Sequence, residues 1–120
     1  MTDAPLSVGI VGLGYWGPNL ARNFDALPDT ELRWCCDGRA DARERFARQF
    51  RGARFTDRFD DLLADPDLDA VVLATPVPTH GPLAERVLRA GKHCFVEKPL
   101  AQSVEEAERA VAAAERSAGR

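Results

Sequence analysis

The 120-residue sequence has only two lysines, Lys92 and Lys98, against fourteen arginines, and only three cysteines, Cys35, Cys36 and Cys94. The cysteines offer neither a metal-ligand spacing nor an even-numbered disulfide framework, so they read as reduced, buried thiols. No stretch approaches the ~18 uninterrupted apolar residues of a membrane span. The opening MTDAPLSVGIVGLG also lacks the charged start and long apolar run of a secretory leader. The expectation is a soluble, cytoplasmic protein with no membrane partner. Positive charge is not in excess either: sixteen Lys and Arg against nineteen Asp and Glu give a formal net charge of -3, with no dense basic stripe, which argues against nucleic acid as the main partner. Repeats, low-complexity tracts and interdomain linkers are missing from the sequence. A chain of this length, 45% apolar and 29% charged, builds one core. That core accommodates a nucleotide-sized site but is tight for a complete two-substrate enzyme.

What is there alternates. Leu6–Val11, Leu32–Cys36, Ala70–Ala74 and His93–Glu97 are short apolar runs without helical period, the pattern of strands buried on both faces. Between them lie helical stretches: Trp16–Phe24, then Ala42–Phe50 with Phe46 and Phe50 at i, i+4, and Pro82–Ala90 closed by Gly91 as a left-handed cap. Ser103-Val-Glu-Glu106 predicts a capping box opening a helix to about Ser117, with Thr79 the N-cap candidate for the preceding helix. A short strand at Arg54–Thr56 and a short helix at Asp60–Leu63 complete a strict strand-helix alternation. Such an order implies an α/β fold with a doubly wound parallel sheet in a single three-layer domain over residues 1–120.

The first strand runs directly into GLGYWG, with Gly12, Gly14 and Gly17 in the G-x-G-x-x-G spacing. Gly12 permits the tight turn, Gly14 lets a pyrophosphate approach the backbone, and Gly17 lets the helix pack on the strand. The free N–H groups and positive dipole end of the following helix suit an anion, and Pro18 falls where a missing N–H is tolerated. The hexapeptide alone is weak, because flavin and S-adenosylmethionine sites use similar loops. Its context strengthens it: the second strand ends in Asp37, 23 positions after Gly14, near the ~20 expected of an acid that accepts from adenosine ribose hydroxyls. Taken by itself Asp37 is equally a helix-capping residue; with the glycine loop, ribose binding is preferred. A carboxylate there disfavours a 2′-phosphate and favours NAD, whereas Arg39 could pair with such a phosphate and keeps NADP open.

Ligands of open parallel sheets bind beyond the carboxyl ends of the strands. The fourth strand exits into Thr75-Pro76-Val77-Pro78-Thr79-His80, where Thr75, Pro76 and His80 are the candidates for lining the site. The fifth exits into Glu97-Lys98-Pro99. Proline holds Lys98 extended, and a lysine fixed there could hydrogen-bond a substrate hydroxyl or act as its acid/base. An ordinary surface Glu-Lys pair is the competing reading.

The segments GIVGLGYWGPNLARNF, CCD, LLADPDLDAVVLATPVPTH and AGKHCFVEKPLA together resemble the amino-terminal cofactor domain of the Gfo/Idh/MocA oxidoreductases. The resemblance implies a Rossmann-type fold binding NAD or NADP in a family that oxidises or reduces sugars, nucleotide sugars, inositols and related alcohols. By position it places Gly12, Gly14 and Gly17 at the pyrophosphate, with Tyr15 and Trp16 at the cofactor's mouth. Asp37 falls at the adenosine ribose, Thr75, Pro76 and His80 at the middle of the cofactor, and Glu97 and Lys98 at the nicotinamide end. Lys98 matches the lysine implicated in substrate binding and proton transfer. The GYWGPNL loop is similar to members that oxidise the 3-hydroxyl of UDP-linked amino sugars. Such enzymes continue into a sixth strand and a substrate domain that this sequence lacks. Strand five is therefore expected to present an unpaired apolar edge open to self-association. Two functions follow: the cofactor half of an NAD(P)-dependent sugar oxidoreductase, or a stand-alone dinucleotide-binding module, a sensor or partner-completed subunit, without turnover of its own.

Overall fold

The computed structural model describes residues 4–119; Met1 to Asp3 of the opening stretch read above, and Arg120, lie outside them. Five strands, β1 (Leu6–Val11), β2 (Thr30–Cys36), β3 (Arg54–Thr56), β4 (Ala70–Leu73) and β5 (His93–Val96), alternate with five helices. The helices are α1 (Gly17–Ala26), α2 (Ala40–Gln49), α3 (Phe59–Ala64), α4 (His80–Arg89) and α5 (Val104–Arg116). All strand pairs are parallel, in the order β3-β2-β1-β4-β5. That is the doubly wound order, with β1 and β4 side by side at its centre, where the order of winding reverses.

Side-chain alternation along the strands divides the interior into two cores and so makes three layers. Val8, Ile10, Ala70 and Val72 pack with Ala21 of α1 and with Ala42 and Phe46 of α2. Val11, Val71 and Leu73, from the same two strands, pack with Leu62 of α3, Ala84 and Val87 of α4 and Ala110 of α5. The central strands are covered on both faces, as their unbroken apolar runs require. β5 departs from that expectation. It lies at the sheet edge, so Phe95 stays 49% exposed, meeting Phe24 edge-on, and Cys94 is half-buried. Cys35 and Cys36 are buried, and burial pushes their thiols up, to about 12 and about 11.

The helix boundaries differ from the sequence expectation mainly at α4. Its first turn takes in His80 and Gly81 and is preceded by a 3-10 turn at Val77–Thr79. Thr79 makes no side-chain cap; its hydroxyl donates to the Pro76 carbonyl at 2.6 Å. At α5 the Ser103 hydroxyl accepts from Glu106 N–H at 3.2 Å as expected, but the returning carboxylate bonds Gln102 N–H at 3.3 Å, so the box closes one residue early. Gly91 is left-handed, φ 81°, and supplies the expected C-terminal turn of α4. The Lys98-Pro99 bond is cis.

Candidate functional site

The carboxyl ends of β1, β2 and β4 share one edge of the sheet, and the ladder between them extends one residue beyond the strands. Gly12 N–H donates to Cys36 carbonyl, Ala74 N–H to Val11 carbonyl, and Asp37 N–H to Thr56 carbonyl. The three exit loops therefore leave the sheet in register. They enclose a cavity of about 560 Å³ whose lining includes Gly12, Gly14, Tyr15, Trp16, Asp37, Thr75 and Pro76. Seven of the eleven residues singled out in the sequence thus line one cavity.

The glycines of the loop do different work. Gly12 has φ 96°, and a Cβ there would stand 2.6 Å from the Ala74 carbonyl oxygen. A Cβ on Gly17 would stand 1.8 Å from the carbonyl oxygen of Gly12, so Gly17 is what lets α1 start directly under the loop. Gly14 is different: its missing Cβ would meet only the Arg39 guanidinium, at 3.8 Å. That leaves bare backbone facing the cavity, as a diphosphate needs. The start of α1 carries no side-chain cap and no acid in its first turn. Its N–H groups and dipole are thereby left for an anion.

Asp37 lies at the opposite wall. Its Oδ2 accepts from Leu13 N–H at 2.8 Å and its Oδ1 from Arg39 N–H at 2.9 Å. The Arg39 guanidinium adds a fork, Nε to Oδ1 and Nη2 to Oδ2, each at 3.1 Å. Burial pushes the carboxyl up, but the bonds from Arg39 and Leu13 outweigh it and lower Asp37 to about 2. The group is an anion at neutral pH, a pure acceptor for hydroxyls. Arg39, itself half-exposed, is the movable partner. Beside them Thr75 and Thr79 join hydroxyls at 2.6 Å, bracing the wall that follows β4.

Four expected site residues lie outside the lining: Gly17, packed under the loop, and Glu97, Lys98 and His80. Glu97 and Lys98 directly follow β5, whose last residue, Val96, pairs with Leu73 of β4. Glu97 is half-buried and Lys98 exposed. His80 is only 2% exposed and does not line the cavity. Its Nδ1 lies 2.8 Å from the Pro99 carbonyl oxygen and its Nε2 2.8 Å from that of Thr75. The expectation that its ring would reach the middle of a cofactor meets a ring committed to the backbone of two loops. Cys36, Gly38 and Arg39 line the cavity too. Arg39 was legible as a charge near Asp37 able to pair with a 2′-phosphate, and Cys36 reaches the wall merely by ending a strand.

Other clustered charges lie at the far end of the sheet. Asp65 is held well below the usual carboxylate range by the hydrogen bond from Arg33, at 2.6 Å, with burial opposing and Trp34 Nε1 assisting. Lys92, 6% exposed, donates to the carbonyls of Asp65 and Leu68 at 2.7 and 2.9 Å. Among the described residues no group of His, Cys, Asp and Glu could hold a metal ion, and no helix is long and apolar enough to cross a membrane.

Comparison with known proteins agrees with this geometry. The family model of the Gfo/Idh/MocA proteins, described as an oxidoreductase family with an NAD-binding Rossmann fold, matches residues 6–120. A glycosyl hydrolase family 109 protein of Shewanella sp. (strain W3-18-1) is 36% identical over 119 residues, covering 92% of this chain and 26% of that protein. The crystal structure of GenD2 from gentamicin A biosynthesis, in complex with NAD, superposes with a TM-score of 0.88 at 40% identity, covering 94% of this chain and 32% of GenD2. The WlbA dehydrogenase from Bordetella pertussis, in complex with NADH and UDP-GlcNAcA, gives a TM-score of 0.91 at 33% identity, covering 100% of this chain and 35% of WlbA. The chain thus spans about a quarter to a third of the length of these relatives.

Proposed function

The chain belongs to the Gfo/Idh/MocA oxidoreductase family, as its NAD-binding Rossmann domain, and from that premise we propose that it is the cofactor half of an enzyme that moves a hydride between a nicotinamide and a hydroxyl-bearing carbon of a sugar, nucleotide sugar or cyclitol. The observation that carries the reading is the single cavity joining the bare backbone at Gly14 to the Asp37 carboxylate. In this reading the loop from Gly12 to Gly17 and the start of α1 hold the diphosphate. Asp37 accepts from the adenosine ribose once Arg39 swings aside, and Tyr15 and Trp16, 83% and 54% exposed, flank the entrance. Thr75 and Pro76 form the wall along the rest of the dinucleotide, and Glu97 and Lys98 lie toward its nicotinamide end. The bound nicotinamide supplies the hydride acceptor or donor. Lys98 Nζ holds the substrate hydroxyl and exchanges its proton, a role within reach of an exposed lysine.

Relatives of this chain include proteins named as dehydrogenases and as glycosyl hydrolases, so the reaction is a proposal at the level of the whole enzyme. The GenD2 and WlbA complexes favour NAD as cofactor and a sugar derivative as substrate, with NADP the alternative that Arg39 keeps open. Substrate positioning belongs to a part of the enzyme beyond this domain, because near-attack geometry requires the carbinol to be held against the nicotinamide. The second reading, a dinucleotide-binding module without turnover, is supported by the place of Lys98 outside the cavity lining. Pairing of another chain along the half-exposed β5 edge would suit either reading.

The test is NADH titration followed by Trp16 fluorescence and calorimetry. Binding is expected for the parent chain and its loss for Gly14→Val, whose side chain would fill the diphosphate slot. Equal affinity in that variant would sink the assignment. Steady NADH production from a UDP-sugar by the 120-residue chain, lost in Lys98→Ala, would eliminate the module reading.

A further inference from the structure

Among the described residues, the ring of His80 pairs with two carbonyl oxygens and with no donor. Pro99 O faces Nδ1 and Thr75 O faces Nε2, both at 2.8 Å. Neutral imidazole has one N–H and one lone pair, so it can satisfy one carbonyl only and must set its lone pair against the other. Only the ring with both nitrogens protonated donates to both carbonyls.

The two carbonyls belong to different exit loops. Thr75 stands two residues beyond the β4 end of the Leu73–Val96 pair, and Pro99 directly follows Lys98, which stands two residues beyond its β5 end. Behind the ring the next residue, Gly81, sits against the segment that leads into α5: a Cβ there would lie 3.0 Å from Glu106 Oε1 and 3.2 Å from Ala101 Cβ. The His80-Gly81 pair is where the chain after Lys98 is pinned to the wall that lines the cavity.

We propose that His80 is a positioning residue: donating from both ring nitrogens, it clamps the Lys98-Pro99 segment to the Thr75 loop and thereby fixes where Lys98 stands relative to the dinucleotide cavity. His80 touches neither ligand nor reacting atoms. The consequence for Lys98 rests on the cofactor reading above, whereas the clamp itself does not.

The test begins with the unmutated 120-residue chain. Imidazole nitrogen NMR should show His80 with two protonated nitrogens, both N–H protons slow to exchange; a single protonated nitrogen overturns the proposal. The variant is His80→Gln, whose amide can replace one bond but cannot donate in both directions. Backbone hydrogen exchange should rise at residues 97 to 101 while β1 and β4 keep their protection; unchanged exchange there overturns the clamp. The readout specific to positioning is modification of the Lys98 amine. In the parent, bound NADH should slow it several-fold, and in His80→Gln that protection should be lost although NADH still binds. Protection equal in parent and variant overturns the consequence for Lys98. Failure of the parent to bind NADH would defeat the cofactor reading, and the ring spectrum and exchange pattern would still decide the clamp.

Discussion

Asp37 Oδ2 accepts the backbone N–H of Leu13 at 2.8 Å, so the acid that ends β2 is bonded to the middle of the glycine loop that follows β1. In the proposed function, the group that accepts from the ribose would also fix the loop that holds the diphosphate. Asp37→Ala should therefore weaken NADH by more than one lost ribose bond is worth, because it frees the loop as well. Two hydrogen bonds to a charged group correspond to a loss on the order of 3 kcal/mol, about a hundredfold in affinity. Calorimetric titration of parent and variant checks this, and a loss below about threefold would mean that the link has no bearing on binding.

The same carboxylate sets an acid limit on stability. Its folded value is lowered from 3.8 to about 2, burial being outweighed by the Arg39 and Leu13 bonds. A depressed carboxyl contributes stability that is complete above the unfolded value and lost as pH falls through the folded one. Asp37→Asn should thus melt below the parent at neutral pH, and the gap should close between about pH 4 and pH 2. Melting curves across that window decide it. A gap that persists at the acid end would place its cause elsewhere.

Much of this was legible because the decisive signals are local. The loop glycines and Asp37 are fixed by strand ends whose apolar runs are unmistakable, and the sheet then brings those ends together in register. Two features resisted reading for physical reasons. His80 reads as a candidate for lining the site from its place after the fourth strand; its burial depends on the Pro99 loop, nineteen residues later, folding back over it. Lys92 had no local signal at all. Its partners are carbonyls of Asp65 and Leu68, and a backbone acceptor leaves no mark in a sequence.

Lys92→Met tests that hidden role. The thioether fills much of the same space but leaves the two carbonyls without their donor. An unsatisfied buried acceptor costs about 1 to 3 kcal/mol. Urea unfolding should show a loss in this range while NADH affinity stays at the parent value, since the site lies at the other end of the sheet. Unchanged stability would mean that water reaches those carbonyls.

Gly14 and Gly17, three residues apart, should fail in opposite ways. The Gly17→Ala methyl meets the Gly12 carbonyl oxygen at 1.8 Å, so α1 must move off the loop, at about 3 kcal/mol of overpacking. Gly14→Val has open space before it and should melt close to the parent while binding no NADH. Thermal melting and titration of both variants separate a glycine needed for folding from one needed by the ligand. A Gly17→Ala chain as stable as the parent would contradict the packing of α1 on the loop.

Arg39 is expected to bear on which dinucleotide the site prefers. Its guanidinium is forked onto Asp37 and yet stands 3.8 Å from where a Gly14 Cβ would be, so it is within reach of any anion that enters the cavity. A ribose 2′-hydroxyl competes with Arg39 for the carboxylate, whereas a 2′-phosphate would draw the guanidinium away from it. Removing the arginine should then have opposite effects on the two cofactors. Arg39→Ala is expected to lower NADPH affinity about tenfold, the value of a charge-assisted hydrogen bond, and to leave NADH unchanged or tighter. Parallel titrations with the two reduced cofactors measure it. An equal loss for both would show Arg39 holding the diphosphate, which the two forms share, and NADH falling alone would show it holding Asp37 in place for the ribose.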